Sequence, residues 1–208
     1  MRHPFRIAFY VIVGIVWTVG VGWGSWWMWG YDSTAGAAAH APLAWPADTQ
    51  LTRDSVLPTL VLLVHPHCPC SRATIGELAK LMTDCNGKLA ATVLFLHPAN
   101  MPAGWEQTDL WRSAVAIPGV KVLVDNDGKE TVRFGAQTSG QTFLFAPDGR
   151  LLFSGGITES RGHSGDNAGR SAIEDLVTDP HPAPDKTLTT PVYGCSLFGP
   201  SDVCVKGK

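Results

Sequence analysis

Two kinds of hydrophobic pattern divide this chain. Between Arg6 and Asp32 lie 25 residues without a formal charge, about the length of helix that crosses a ~30 Å hydrocarbon core. From Leu57 onward the apolar residues come in short runs separated by polar breaks. Leu60–Val64 reads as a buried strand; it ends in His65-Pro66-His67-Cys68-Pro69-Cys70, after which Ile75, Leu78 and Leu81 fall on one face of a helix reaching about Met82. Leu89–Leu96 and Val120–Val124 are two further strands, with a short helix around Thr108–Val115 between them. Asp127 is placed to cap another short helix carrying Val132 and Phe134. Thr142–Phe145 and Leu151–Phe153 flank the turn Ala146-Pro147-Asp148-Gly149-Arg150 as a hairpin, and a last helix runs from about Asn167 to Val177. Strands separated by helices, then a hairpin and a helix, predict an α/β fold: a central mixed sheet flanked by helices and preceded by one N-terminal transmembrane helix.

The flanks of the long apolar segment orient it. Arg2 and Arg6 precede it and no Lys or Arg follows until Arg53, while Trp23, Trp26, Trp27, Trp29 and Tyr31 crowd its far end. The positive-inside rule and the aromatic belt then predict a single-pass anchor in the cell membrane, held by lipid, with the globular part on the periplasmic, extracytoplasmic side. Residues 1–6 are read as a cytoplasmic N-terminus and 7–31 as the anchor. Residues 32–56, rich in Ala, Pro, Ser and Thr, read as a tether, 57–178 as the folded domain and 179–208 as a C-terminal tail. A cleaved signal peptide ending at Ala37-Ala38-Ala39 is the alternative; the apolar stretch is long and tryptophan-rich for one.

Composition removes some function classes. The net charge is −2 with both signs dispersed, so no basic stripe marks a nucleic-acid partner. Five cysteines in 208 residues are too few for a disulfide scaffold, and their odd number leaves one without a partner inside a monomer.

The cysteine turn after a core strand and at a helix start, followed by TFLFAPDGRLLFSGG, resembles the thioredoxin-like superfamily over roughly Leu57 to Val177. Within that span TSGQTFLFAPDGRLLFSGGITESRGHSGDNAGR is similar to the membrane-anchored, exported thioredoxin-like proteins of the RedB type. The superfamily resemblance implies thiol–disulfide exchange, peroxide reduction or copper delivery. Two departures stand out. The usual Cys-x-x-Cys is replaced by Cys68-x-Cys70, with Ser71 where the second cysteine would stand. Aligning GQTFLF with the family's Pro-x-Thr-Phe puts Gly140 at the position of the cis-proline, which implies open space beside the sulfur for a substrate or a metal.

The residues themselves support two chemistries. Cys68 stands just before a helix with two imidazoles nearby, which favours a thiolate, and Cys70 can resolve its mixed disulfides. A Cys-x-Cys disulfide closes a small, strained ring, which suits an oxidant or isomerase acting on an exported thiol protein without any required cofactor. The same segment offers His65, His67, Cys68 and Cys70 as a soft-metal set, so a copper-handling protein binding Cu(I) is the alternative. Arg161 and His163, in the loop after the hairpin, are candidates for holding an anionic group of a substrate and for shuttling a proton. Cys195 is expected either to pair with Cys204 or to join the cysteine turn in a relay, and Cys85 to be a small buried residue. A third reading is a non-catalytic subunit of a membrane complex built on the same scaffold.

Overall fold

The computed structural model describes residues 3–178 and 186–198. It divides into two units, 1–34 and 35–208. In the first, α1 runs over His3–Ser33. Pro4–Ser33 is long and apolar enough to cross a membrane, a criterion that a signal sequence also meets. Its large apolar side chains, from Phe5 to Tyr31, are exposed, and a helix apolar all round is stable only against lipid or protein.

The second unit is built on a six-stranded sheet. Its strands are β1 (Thr59–Val64), β2 (Ala90–His97), β3 (Val120–Asn126), β4 (Gln141–Phe145), β5 (Leu151–Gly155) and β6 (Leu188–Thr189). They lie in the order β3-β2-β1-β4-β5-β6. β1, β2 and β3 are parallel, β4 runs antiparallel to both β1 and β5, and β6 joins β5 in parallel. The helices are α2 (Ser71–Asp84), α3 (Asp109–Val115), α4 (Lys129–Arg133) and α5 (Ala168–Thr178).

The unbroken apolar run of β1 is explained by its central place: all six of its residues are buried. Leu60, Leu62 and Val64 pack with Ile75, Leu78 and Leu81 of α2 and with Ile173 of α5. Val61 and Leu63 point to the opposite layer, where Phe134, Phe143, Phe145 and Leu197 gather. Alternate residues of one strand thus serve two cores.

Three segments differ from the pattern-based reading. The stretch expected to be a tether packs on the sheet from Ala35 onward. Ala39, Ala41, Trp45 and Leu51 cover the second core, and Trp45 stacks edge-on against Phe134 and Phe145 at 5.5 and 5.2 Å between ring centres. Backbone bonds hold it in place, Gly36 N–H to Val192, His40 N–H to Gly135 and Trp45 N–H to Gly149. Scattered apolar residues without a period suffice here because the segment is a strap over a preformed surface. Trp45→Ala is therefore expected to destabilise the folded unit by about 2 kcal/mol, below the full-burial range because the indole is only half-buried; urea denaturation measures it.

The second difference is the cap of α4. Asp125, not Asp127, accepts the N–H groups of Glu130 and Thr131 and the Thr131 hydroxyl. β3 continues two residues further than its apolar core, which carries Asp125 under the helix start, while Asp127 and Gly128 make the turn at φ 62° and 65°. The third is the tail, whose described part adds an edge strand and then crosses to the cysteine turn. Cys204 and His181 lie outside the described residues.

Candidate active site

β1 ends at Val64 and hands the chain directly to the cysteine turn. Cys68 N–H donates to the His65 carbonyl, Ser71 N–H to Cys68 and Ala73 N–H to Cys70, so the turn winds into α2 without a break. Pro66 and Pro69 cost nothing here, since N–H groups at a helix start lack intrahelical partners.

The sulfur of Cys68 has no solvent exposure at its residue, yet polar groups surround it. The Cys195 backbone N–H donates to it at 3.3 Å. Hydrogen bonds from the Cys195 thiol, the Cys70 thiol, the Ser71 hydroxyl and that same amide together pull its pKa far below the ordinary thiol range, overcoming burial, which opposes them. These donors favour the thiolate form of Cys68. For Cys70 the Cys195 thiol pulls downward, but the donated bond to Cys68, burial and the neighbouring thiolate charge outweigh it, so Cys70 stays protonated; Arg161 adds a small opposing pull.

The direction of the hydroxyl bonds follows from their neighbours. Ser139 Oγ accepts the His65 backbone N–H at 2.8 Å, which leaves its own hydrogen for Ser71 Oγ at 2.8 Å. The Ser71 hydrogen is then available to Cys68. The residue standing where a second cysteine was anticipated is thus a hydroxyl donor. Ser71→Ala is expected to remove about 2 kcal/mol of thiolate stabilisation, the worth of a hydrogen bond to a charged group, and to move the thiolate titration upward by ultraviolet absorbance.

The imidazoles play a different part from the one expected of them. Burial holds His65 below the ordinary imidazole range, against the opposing pull of Cys68, so it is a neutral ring. Its Nδ1 accepts the His67 N–H, and His67 Nε2 bonds to the Trp105 carbonyl. Both rings pack on Trp105, at 5.4 and 4.6 Å between centres. Neither joins the sulfurs: among the described residues no group of three or more His, Cys, Asp or Glu side chains is arranged to hold a metal ion. Of the four donors expected for Cu(I), the two imidazoles pack on Trp105.

Gly140 adopts φ +94°, and no peptide among the described residues is cis. A Cβ there would lie 3.2 Å from Thr74 Oγ1, so α2 lies close on that side, and the Cys195 amide lies against the Cys68 sulfur. Arg161 donates to the Gly194 carbonyl, next to Cys195. His163 is exposed and its Nδ1 bonds to the Arg161 carbonyl; no hydrogen bond described here links it to the sulfurs. Cys85 is buried behind α2, where burial first and then the charges of Glu174 and Asp84 push its thiol up to about 11.

Ser139, Trp105 and Cys195 as a donor to Cys68 are the parts of the site that sequence reasoning missed or left open. Ser139 carries no local signal, because its role depends on β4 pairing with β1. For Cys195 there was one: the glycine before it, since a Cβ on Gly194 would lie 1.9 Å from the Ser139 carbonyl oxygen.

No family model matches the sequence, and no curated relative matches it. Among solved structures, the chain is similar to an uncharacterized conserved protein from Geobacillus kaustophilus, with TM-score 0.54 and 19% identity over 79% of this chain and 91% of that one. It is also similar to a hypothetical protein from Sinorhizobium meliloti, with TM-score 0.53 and 22% identity over 78% of this chain and 93% of that one. A more distant match is the exposed lipoprotein thioredoxin Etrx1 of Streptococcus pneumoniae, with TM-score 0.42 and 14% identity over 60% of this chain and 86% of that one. Such identities speak to the fold alone. With its cysteine turn between β1 and α2, parallel β2 beside β1, and a β4–β5 hairpin leading into α5, this chain has the fold of the thioredoxin-like superfamily.

Proposed function

We propose that this protein is a membrane-anchored, extracytoplasmic thiol–disulfide oxidoreductase in which Cys68 is the nucleophile and Cys70 its resolving thiol. The observation that carries this reading is the Cys68 sulfur itself, buried in the turn between β1 and α2 and accepting the Cys195 backbone N–H at 3.3 Å, with surrounding donors that lower its pKa. A merely structural cysteine has no use for that many donors. The anchor is supported by the length and apolar composition of α1 and by Arg2 and Arg6 on one side of it only.

The exchange runs as follows. The Cys68 thiolate attacks one sulfur of a substrate disulfide; a Cys68–substrate disulfide forms and the other substrate sulfur leaves as a thiolate. Once Cys68 is bonded its negative charge is gone, and with it part of what kept Cys70 protonated. Cys70 then ionises more readily, helped by Arg161, and attacks Cys68 to release the second substrate thiolate. Two electrons pass from the cysteine pair to the substrate; the reverse sequence oxidises a substrate dithiol.

The partner in this reading is an exported protein bearing cysteines. The test is reduction of insulin disulfides, and oxidation of a reduced dithiol peptide, by the full-length chain in detergent. Equal rates for wild type and Cys68→Ser would remove Cys68 from the mechanism. Copper handling is tested separately by anaerobic Cu(I) loading and elemental analysis, with no stoichiometric retention expected.

A further inference from the structure

The C-terminal tail reaches the cysteine turn along a route built to receive it. A Cβ on Gly156 would lie 2.6 Å from the Pro191 carbonyl oxygen, and one on Gly155 would collide with Thr190, so two successive glycines of the β5 end let the tail lie flat. Val192 is buried and its carbonyl accepts the Gly36 N–H at 2.8 Å. The tail then pairs antiparallel with the segment before β4: Ser139 N–H donates to Cys195 at 2.8 Å, Leu197 N–H to Gln137 at 2.9 Å, and Thr138 bridges Ser196. Arg161 holds the Gly194 carbonyl, and Leu197 is buried in the second core. Together these contacts hold the tail backbone on either side of Cys195.

That residue stands beside the other two cysteines. Its amide donates to the Cys68 sulfur at 3.3 Å, and its thiol lowers the pKa of Cys68 and pulls in the same direction on Cys70. Exposure separates the members: the Cys68 residue is wholly buried and Cys70 is 8% exposed, whereas Cys195 is only half-buried. Cys195 is thus the most exposed of the three residues. Cys70, fixed at the start of α2, must close a small ring within the turn to reach Cys68, whereas Cys195 comes from a separate strand and closes a large one.

We propose that Cys195 is a redox-active cysteine, the solvent-facing partner of Cys68 in a Cys68–Cys195 disulfide that exchanges with cysteine thiols of an exported protein. This deepens the oxidoreductase reading and rests on it. The disulfide form arises by exchange with a disulfide oxidant, small molecule or protein, which takes up the two electrons. A substrate thiolate then attacks the Cys195 sulfur, and the S–S bond to Cys68 breaks. Cys68 departs as the stabilised thiolate, the better leaving group of the two. A second substrate thiolate attacks the substrate sulfur of the mixed disulfide. It forms the substrate disulfide and expels Cys195 as a thiolate, which takes up one of the two protons lost by the substrate thiols; the other goes to solvent. Cys70 takes no part in this sequence and keeps its resolving role for substrate disulfides reduced at Cys68.

The test treats the reduced full-length chain in detergent with oxidised glutathione, quenches in acid, alkylates and maps disulfides by peptide mass spectrometry. Fragmentation separates Cys68 from Cys70. A Cys68–Cys195 link is expected in wild type, persisting in Cys70→Ser and Cys204→Ser and lost in Cys68→Ser and Cys195→Ser. Thermal melting of each variant shows that it is folded, and Cys195→Ser keeps a hydroxyl donor against Cys68. Oxidation of a dithiol peptide is expected to fall at least tenfold in Cys195→Ser. If Cys68 links only to Cys70 and Cys195→Ser keeps full turnover, Cys195 has no redox role although the oxidoreductase reading stands. If Cys195 links only to Cys204, the proposal fails in the same way. If Cys68 forms no disulfide in any variant, the oxidoreductase reading falls and takes this proposal with it.

Discussion

Replacing Cys68 with serine is expected to reduce thiol–disulfide exchange to the uncatalysed background, a loss on the order of 10³-fold or more, as for other nucleophiles that act as part of a unit. Serine preserves the volume and the hydrogen bonds to Ser71 and the Cys195 amide but is not ionised at working pH. The fold should therefore survive while the chemistry goes. A pH signature accompanies the loss. The folded-state pKa of Cys68 lies below its unfolded value of about 8.5, so the unfolded chain binds more protons in the interval between the two. Stability from this group is complete above the unfolded pKa and is lost as pH falls through the folded one. Wild type should gain stability with rising pH across the neutral range relative to Cys68→Ser, a difference that urea titrations at several pH values measure.

Arg170→Ala is expected to cost about 2–3 kcal/mol, below the range for stranding a buried charge, because Lys80 and the Gly165 N–H still hold Glu77. Glu77 projects from α2 with its side chain wholly buried, and Arg170 of α5 faces it at 3.0 Å as an ion pair without an aligned hydrogen bond. The same carboxylate takes Lys80 at 2.8 Å and the backbone N–H of Gly165 at 3.0 Å. Asn167 approaches it at 3.4 Å. One buried charge thus ties α5 and the loop after β5 to the helix that carries the cysteines. Arg170 also reaches Asp84 and Glu174, so its loss leaves several carboxylates facing each other. Urea denaturation checks the magnitude, and Arg170→Lys should recover part of it by restoring a charge without the planar fork.

The central sheet was legible in the sequence because its strands carry their burial with them. β1 has no polar residue after Thr59 and lies between two layers, and the hairpin announces its turn in Pro147-Asp148-Gly149. The N-terminal strap was not legible: Ala39, Ala41 and Trp45 follow no period, and their burial depends on a surface made by residues almost a hundred positions away. Nothing near Glu77 in the chain foretells its pairing with Arg170. At the site, the position and type of Cys68, Cys70 and Ser71 were readable, but not the partners. Two imidazoles within three residues suggested a cationic or metal-binding environment, and folding instead turned both onto Trp105. The donors that stabilise the thiolate come from Ser71 locally and from Cys195, which only the tail's pairing with the segment before β4 brings near.

The proposed chemistry turns on the state of one sulfur. The most direct measurement is an ultraviolet thiolate titration of the reduced full-length chain in detergent, from mildly acidic to alkaline pH, beside its Cys68→Ser variant. One thiolate is expected in wild type that persists well below the ordinary thiol range of about 8.5 and is missing from Cys68→Ser. Titration of every wild-type cysteine at or above that range, or survival of the low-pH thiolate without Cys68, would contradict the role given to Cys68.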